Sequence, residues 1–338
     1  MPSSPAKPSV IPLFIPHAGC PNQCLFCNQR TVTGQSQPLL ADLKGEIDIW
    51  LSRMAGRGPL EISFYGGTFL GLPEAQILSL LDLAQSHVDE GLVAGIRFST
   101  RPDTITAKSL KLLSPYHVTT IEIGAQSMDE SVLTASRRGH TAEDTRLAMA
   151  LLASHPAQTV LQMMAGLPKE TFASWKASVL EMLSLNPSAI RIYPTVVLDE
   201  SPLYGMWKGG EYEPLSLDEA VKRTAWAYER ACHAGVSVLR MGLQESDELR
   251  GGGICAGPHH PAFGHLVHSA IFLKKAIHLL SLAPCEKKRA TFAVNPRSVS
   301  RLRGLKNVNI GILKERFGLS DLRVEEAPGI PLDGLVLK

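Results

Sequence analysis

Seven short runs rich in β-branched and aromatic residues recur along the chain: IPLFIPHAG, LEISFYGG, GIRFSTRP, TTIEIGAQS, TVLQMMAGLP, AIRIYPTVVL and VSVLRMGLQ. Between them lie longer stretches, 73–90 and 171–185 among them, in which Leu, Ile, Met and Ala return at helical spacing and Pro or Gly marks the boundaries. Strands separated by helix-length connections do not pair as hairpins, so the alternation predicts an α/β fold on a parallel sheet. Several runs end in Gly or polar residues, which suits a site on the C-terminal rim of a partial or full (β/α) barrel. Periodicity alone leaves a doubly wound open sheet available. A chain of 338 residues with 44% hydrophobic content has material for one substantial core and a small appended module. The boundary is expected near 285, giving a core over 1–285 and a small α+β module over 286–338. GGG at 251–253 and the GPHHPAFG that follows read as an irregular connection.

No apolar run reaches the roughly 18 residues of a membrane-spanning helix, and MPSSPAKPSV lacks the pattern of a secretory leader. A cytosolic chain with no membrane partner is expected. Six cysteines, three of them crowded near the N-terminus, do not resemble the framework of a small secreted domain, and reduced thiols fit better. The segment HAGCPNQCLFCNQR directly follows the first strand, which places Cys20, Cys24 and Cys27 in the loop at its C-terminal end with C-x3-C-x2-C spacing. Soft thiolates suit zinc or an iron–sulfur cluster. Structural zinc takes four protein ligands, often as two separated pairs, and no second CxxC exists in this sequence. A 4Fe–4S cluster on three cysteines leaves one iron open to another ligand. Three unligated or zinc-bound cysteines remain the alternative. Cys232, Cys255 and Cys285 are too scattered for a second cluster and read as free thiols. His259, His260, His265 and His268 lack a recognised ligand spacing, so substrate-site or structural roles are expected of them.

A C-x3-C-x2-C loop after a first β-strand resembles the radical S-adenosylmethionine (SAM) superfamily, in which the amino and carboxylate groups of SAM chelate the fourth iron. Phe26 matches that family's aromatic position near the adenine. Gly66, Gly67 and Thr68 resemble its GGE-like turn, whose backbone contacts the methionine amino group and where glycine permits close approach. STRPD at 99–103, IEIGAQS at 121–127, RRGHT at 137–141, MMAGLP at 163–168 and RIYPTVVL at 191–198 are similar to the radical SAM core of the Elongator catalytic subunit and its shorter bacterial relatives. The resemblance spans about residues 11–245 and implies that Ser99, Arg101, Gln126 and Arg138 hold the ribose and methionine ends of SAM. It also implies reductive cleavage of SAM to a 5′-deoxyadenosyl radical, fed by an external one-electron donor of the flavodoxin or ferredoxin type. No acid–base residue follows from that first step, and Glu122 reads equally as a structural ion-pair partner. Two departures stand out. The Elongator spacing is wider between the first two cysteines, whereas the spacing here is shared with oxygen-independent coproporphyrinogen oxidase. Only about 90 residues follow RMGLQE and none reads as an acetyl-CoA phosphate loop, so acetyl transfer in cis is not expected. Three functions stay open: modification of a tRNA or rRNA, small-molecule chemistry of the coproporphyrinogen kind, and an iron–sulfur RNA-binding protein without turnover.

The C-terminus is electrostatically distinct. Residues 287–323 carry ten Lys or Arg against two acidic residues, a local charge of +8, which leaves −6 for the remainder of a chain whose net charge is +2. ATFAVN is expected to form a strand, PRSVSRLRG a helix, VNIGILKERFG a second helix and LRVEEA another strand, with Gly304-Leu305-Lys306-Asn307 between the helices. This order resembles a minimal KH module, whose GxxG loop clamps a single-stranded nucleic-acid backbone, and Asn309-Ile310 falls where that family often has an Asn-Ile pair. Asn307 stands in place of the second glycine, and Asn is the non-glycine residue most tolerant of positive φ. The resemblance implies RNA contacts at Arg301, Arg303, Gly304, Lys306 and Lys314. A solvated basic surface on a capping subdomain is the alternative.

Overall fold

The computed structural model describes residues 8–28, 40–244, 252–283 and 288–338. Strands β1 (Ser9–Phe14), β2 (Leu60–Tyr65), β3 (Gly95–Thr100), β4 (Val118–Gln126), β5 (Gln158–Ala165), β6 (Ala189–Pro194) and β8 (Ser237–Met241) form one seven-stranded sheet in the order β1-β2-β3-β4-β5-β6-β8. Every pairing in it is parallel. The described β1 and β8 pair on one side only, so the sheet is a curled half-barrel and the partial form of the expected barrel is the one adopted. Helices α1 (Leu40–Arg53), α2 (Glu74–Asp89), α3 (Ala107–Leu113), α4 (Glu130–Ala135), α5 (Ala142–Leu152), α6 (Phe172–Ser184), α7 (Pro202–Lys208), α8 (Leu217–His233) and α9 (Phe263–Leu282) connect and cover it. Thr106, Thr141 and Thr171 close capping boxes at the starts of α3, α5 and α6, which is why those helices begin where they do.

Side chains alternate across each strand, and the alternation separates two chemistries. Ile62, Phe64, Ile96, Phe98, Ile121, Ile123, Leu161, Met163, Ile190 and Ile192 are fully buried in the main core. Phe69, from the turn after β2, stacks between Phe64 and Phe98 with centroids 5.1 and 4.6 Å away. The positions between them, Glu61, Tyr65, Arg97, Ser99, Glu122, Gln162, Arg191 and Tyr193, form the polar inner face.

The segment AIRIYPTVVL does not run as one strand. It leaves the sheet at Pro194, and the short β7 (Val197–Leu198) pairs instead with β9 (Ile254–Ala256), a strand inside the stretch expected to be irregular. Proline has no N–H to donate, and Thr195 donates back to the Ala165 carbonyl, which turns the chain over the rim.

The C-terminal elements are β10 (Arg289–Val294), α10 (Val299–Arg303), α11 (Val308–Phe317), β11 (Asp321–Glu326) and β12 (Leu335–Leu337). Their sheet has the order β11-β10-β12, parallel between β10 and β11 and antiparallel between β10 and β12. The strand, helix, helix, strand sequence read from residues 290–327 is present, with a short 3-10 turn at Pro296–Ser298 opening the first helix. Its core of Phe292, Leu302, Leu313 and Leu322 is completed by Phe272, Ala276 and Leu280 of α9, so the packed unit reaches back across residue 285.

Candidate active site

The cysteine loop is shaped by its neighbours on the rim. Gly19 lies at φ 71, and an added Cβ there would come within 2.2 Å of the Thr68 carbonyl. At Gly67 the intruding Cβ would lie 2.4 Å from the Ala18 carbonyl and 2.7 Å from that of Ile15. The Thr68 N–H donates to the Ala18 carbonyl at 2.8 Å, and that of His17 to the Gly66 carbonyl at 2.8 Å. The Gly66-Gly67-Thr68 turn and the start of the cysteine loop therefore lie backbone against backbone, a closeness that only glycine allows.

Cys20 is exposed, Cys24 buried and Cys27 half-buried, and none of the three is in a disulfide. The Cys20 sulfur lies 3.2 Å from the Thr68 hydroxyl. Arg138 donates through Nη1 to the Cys24 sulfur at 3.0 Å and through Nη2 to the Gly124 carbonyl at 2.6 Å. The same guanidinium stands 5.9 Å from the centre of the Phe26 ring. Arg101 is 3% exposed. It clamps Asp103 with two contacts of 2.9 Å and donates to the Arg138 carbonyl. Gln126, at the end of β4, adopts φ 68, and its amide nitrogen and the Arg138 guanidinium both crowd the space over Gly124. The structure thus brings Gly66, Gly67, Thr68, Phe26, Arg101, Gln126 and Arg138 around the thiol loop. Ser99 lies apart from them on the inner face, 3.5 Å from the Gln162 amide nitrogen.

Arg301, Arg303, Gly304, Lys306 and Lys314 belong to the C-terminal unit. Gly304, Lys306 and Asn307 take φ values of 71, 52 and 63, so the loop turns through three positive-φ residues, the last of them the asparagine in the second-glycine position. Arg303 and Lys306 are exposed and Lys314 is half-buried. Arg301 is tied internally to Asp333 at 3.1 Å. His260 accepts from the Ala262 N–H at 3.0 Å, and His265 and Ser269 face each other at 3.4 Å. Among the described residues no three His, Cys, Asp or Glu side chains converge on a single-ion site. Cys285 lies outside the described residues.

Sequence reasoning missed most of the inner face. Glu122, 0% exposed, accepts from Tyr65 at 3.0 Å, Arg97 at 3.0 Å, Arg191 at 2.9 Å and Gln162 at 2.8 Å. Arg97 also binds Glu61 at 2.7 Å. Burial, and then the charge of Glu122, pushes the Tyr65 hydroxyl up to about 12. The available signal was the polar residue at every second position of strands that otherwise read as buried.

His140, 4% exposed, faces the Ala125 carbonyl through Nε2 at 3.2 Å. Burial, then the charges of Arg138 and Arg101, pushes its imidazole down to about 3, below the unfolded value of 6.5. Between those values the unfolded chain binds the extra proton, so this contribution to stability is present above pH 6.5 and is lost as pH falls toward 3. The slope is at most about 1.4 kcal/mol per pH unit. Urea unfolding at pH 7 and pH 5 should show a larger loss for the wild type than for His140→Gln; equal losses would contradict this account.

A parallel half-barrel with three cysteines on the loop after its first strand could hold a thiolate-bound group at the C-terminal rim. Residues 14–181 match the Radical SAM superfamily and residues 187–272 the Radical_SAM C-terminal domain, together about three quarters of the chain. The chain belongs to the radical SAM superfamily of enzymes. It is similar to the tRNA uridine(34) acetyltransferase of Methanocaldococcus infernus, 24% identical over 260 residues, 65% of this chain and 49% of that protein. Human Elongator complex protein 3 is 25% identical over 278 residues, 67% of this chain and 51% of that protein. The chain spans about half the length of these curated relatives. The structure of the archaeal Methanocaldococcus infernus Elp3 with an N-terminal deletion matches with a TM-score of 0.65 at 20% identity, covering 80% of this chain and 64% of that one. Coproporphyrinogen III oxidase (HemN) from Escherichia coli, a radical SAM enzyme, matches with a TM-score of 0.51 at 20% identity over 69% of this chain and 54% of its own. These two structures show the fold.

The superfamily implies a 4Fe–4S cluster and SAM, and the residues present fit them. The thiols of a cubane take different irons, so they need not converge to the radius of one ion. Gln126 Oε1 and Arg138 Nε, both at this rim, are buried polar atoms without a hydrogen-bond partner among the described residues. Such groups are costly unless something outside the chain satisfies them.

Proposed function

We propose that this chain binds a 4Fe–4S cluster through Cys20, Cys24 and Cys27, cleaves SAM reductively there, and modifies an RNA of the tRNA or rRNA kind. The observation that carries the first part is the thiol loop held against Gly67, with the Arg138 guanidinium 3.0 Å from the Cys24 sulfur. The chemistry that a bound 4Fe–4S cluster would supply here is one-electron reductive cleavage of SAM. The chain's own residues bind and orient. Cys20, Cys24 and Cys27 would hold the cluster. The backbone of Gly66, Gly67 and Thr68 lines the methionine end. Gln126 Oε1 accepts and Arg138 Nε donates, while the Arg138 Nη groups stay occupied. Arg101 acts through Arg138, whose carbonyl it holds. Phe26 flanks the adenine, and Ser99 faces the ribose from the inner wall. An external donor of the flavodoxin or ferredoxin type supplies the electron. Among the described residues no helix is long and apolar enough to cross a membrane, and we place the protein in the cytosol.

An RNA substrate is supported by the name of the Methanocaldococcus relative and by the positive-φ loop at Gly304 to Asn307, which resembles a KH clamp, with exposed Arg303 before it and exposed Lys306 within it. Because α9 packs into the C-terminal core, point substitutions test this loop more cleanly than truncation. The double variant Arg303→Ala, Lys306→Ala should weaken binding of a fluorescent oligouridylate about tenfold at low salt and flatten the salt dependence by about two counterions. Unchanged affinity and slope would remove the loop from RNA binding. Anaerobic incubation with cellular RNA fractions, followed by nucleoside mass analysis, identifies the substrate.

A further inference from the structure

Two of the thiols on the loop after β1 have a buried side-chain donor beside them. Arg138 is 6% exposed and Cys24 7%, and Arg138 Nη1 donates to the Cys24 sulfur at 3.0 Å. The hydroxyl of buried Thr68 lies 3.2 Å from the Cys20 sulfur. Both donors are fixed by the backbone around them. The Arg138 N–H donates to the Leu133 carbonyl at 3.0 Å, its carbonyl accepts from Arg101, and its Nη2 is tied to the Gly124 carbonyl at 2.6 Å. The turn between α4 and α5 that carries Arg138 also lies against the thiol loop. There the Leu25 N–H donates to the Ser136 carbonyl at 3.1 Å, and a Cβ added at Gly139 would come within 2.0 Å of the Asn22 side-chain nitrogen. Thr68 is held in turn by its N–H, which donates to the Ala18 carbonyl at 2.8 Å. The contacts of the Arg138 guanidinium are a sulfur, a backbone carbonyl and the Phe26 ring, and among the described residues no carboxylate pairs with it. Neighbouring Arg101 differs in this respect, being paired with Asp103 at 2.9 Å.

We propose that Arg138 and Thr68 set the reduction potential of the cluster, by donating to the sulfurs of Cys24 and Cys20 once these are thiolate ligands. The inference rests on the cluster reading above. A ligating thiolate carries no proton, so the Thr68 hydroxyl must be the donor to Cys20, and both contacts become charge-assisted. Reduction adds one negative charge, part of which falls on the ligand sulfurs. A hydrogen bond or a guanidinium at sulfur therefore favours the reduced form and raises the potential. Burial keeps both contacts from being weakened by water and salt. A buried guanidinium with no acid beside it is costly, and a cubane core on three thiolates, which is net anionic, supplies the missing counter-charge. Arg138 brings a full charge and Thr68 only a dipole, so Arg138 has the larger effect. Together they lower the demand on the external one-electron donor.

The full chain is reconstituted anaerobically with iron and sulfide, and its midpoint potential is read by redox titration followed by electron paramagnetic resonance. Leaving SAM out keeps any contact of Arg138 with SAM from contributing. Arg138→Gln should shift the reduction equilibrium about tenfold toward the oxidised form, a potential lower by about 59 mV for a one-electron couple. Thr68→Val, of nearly the same shape, should shift it about threefold in the same direction, and Thr68→Ser, which restores the hydroxyl, should return it to the wild-type value. Iron content and melting temperature are followed alongside. A purely structural role lowers the melting temperature and leaves the potential unchanged. Iron-loaded Arg138→Gln or Thr68→Val at or above the wild-type potential overturns the assignment of that residue. Where the Arg138 variant does not take up iron, the wild type decides. Grown on nitrogen-15 arginine, its reduced cluster should show a nitrogen-15 hyperfine coupling by HYSCORE spectroscopy without SAM, and the lack of one overturns the contact. If Arg138→Gln loses SAM cleavage but keeps the wild-type potential, Arg138 serves SAM alone, and this inference fails while the cluster reading stands. A chain that takes up no iron fails the cluster reading first, and this inference with it.

Discussion

Replacing Cys20, Cys24 or Cys27 by Ala, one at a time, should take reconstituted iron from about four atoms per chain to near none. A cubane anchored by three thiolates has no spare protein ligand, and the described residues offer no other group of three metal-binding side chains to substitute for a lost one. The three positions are not equivalent in the fold. Cys24 is buried beneath Arg138, so its loss also strands a buried guanidinium, whereas Cys20 is exposed and touches only the Thr68 hydroxyl among its described side-chain contacts. Cys20→Ala should therefore lose iron with little change in the melting temperature of the metal-free chain, while Cys24→Ala should lower both. Iron analysis alongside calorimetry of the apoprotein separates these effects. Tightly bound zinc at about one per chain would contradict the cluster assignment outright.

Glu122→Ala is the substitution with the largest expected cost to folding. The side chain is fully buried and accepts four hydrogen bonds, two of them from guanidinium groups that are themselves largely buried. Removing the carboxylate leaves Arg191 without its buried acid and Arg97 with Glu61 alone. Breaking one side of a buried ion pair costs about 3–5 kcal/mol, because the remaining charge keeps its desolvation penalty and loses its compensation. Glu122→Gln, which retains the shape and one acceptor, should cost less. Equilibrium urea unfolding of the apoprotein measures both. A loss below about 1 kcal/mol for the Ala variant would mean that water reaches the inner face and that Glu122 does not organise it.

The strand positions were legible because each run is short, apolar and separated by helix-length spacers. The extents of α2 and α6 follow the 73–90 and 171–185 patterns closely. The break at Pro194 was in principle readable, since proline ends ladders, but the hydrophobic TVVL beyond it carried the pattern past the turn. The thiol loop was legible from spacing alone, whereas the contact of Arg138 with Cys24 joins residues 114 apart and no local pattern encodes it. Glu122 was visible as an ionisable residue on a strand. Its partners were not, because each comes from a different strand and only the parallel register lines them up. Arg301 shows the converse: a basic residue in a basic segment reads as a phosphate contact, yet its observed partner, Asp333, lies on the loop that closes the C-terminal sheet.

The most direct test of the account is anaerobic reconstitution of the full chain, followed by dithionite and SAM. The expected products are 5′-deoxyadenosine and methionine in equal amounts, present with the wild-type chain and absent with each cysteine variant. A preparation carrying its full complement of iron that releases no 5′-deoxyadenosine, with or without RNA, would contradict the assignment of reductive SAM cleavage to this site.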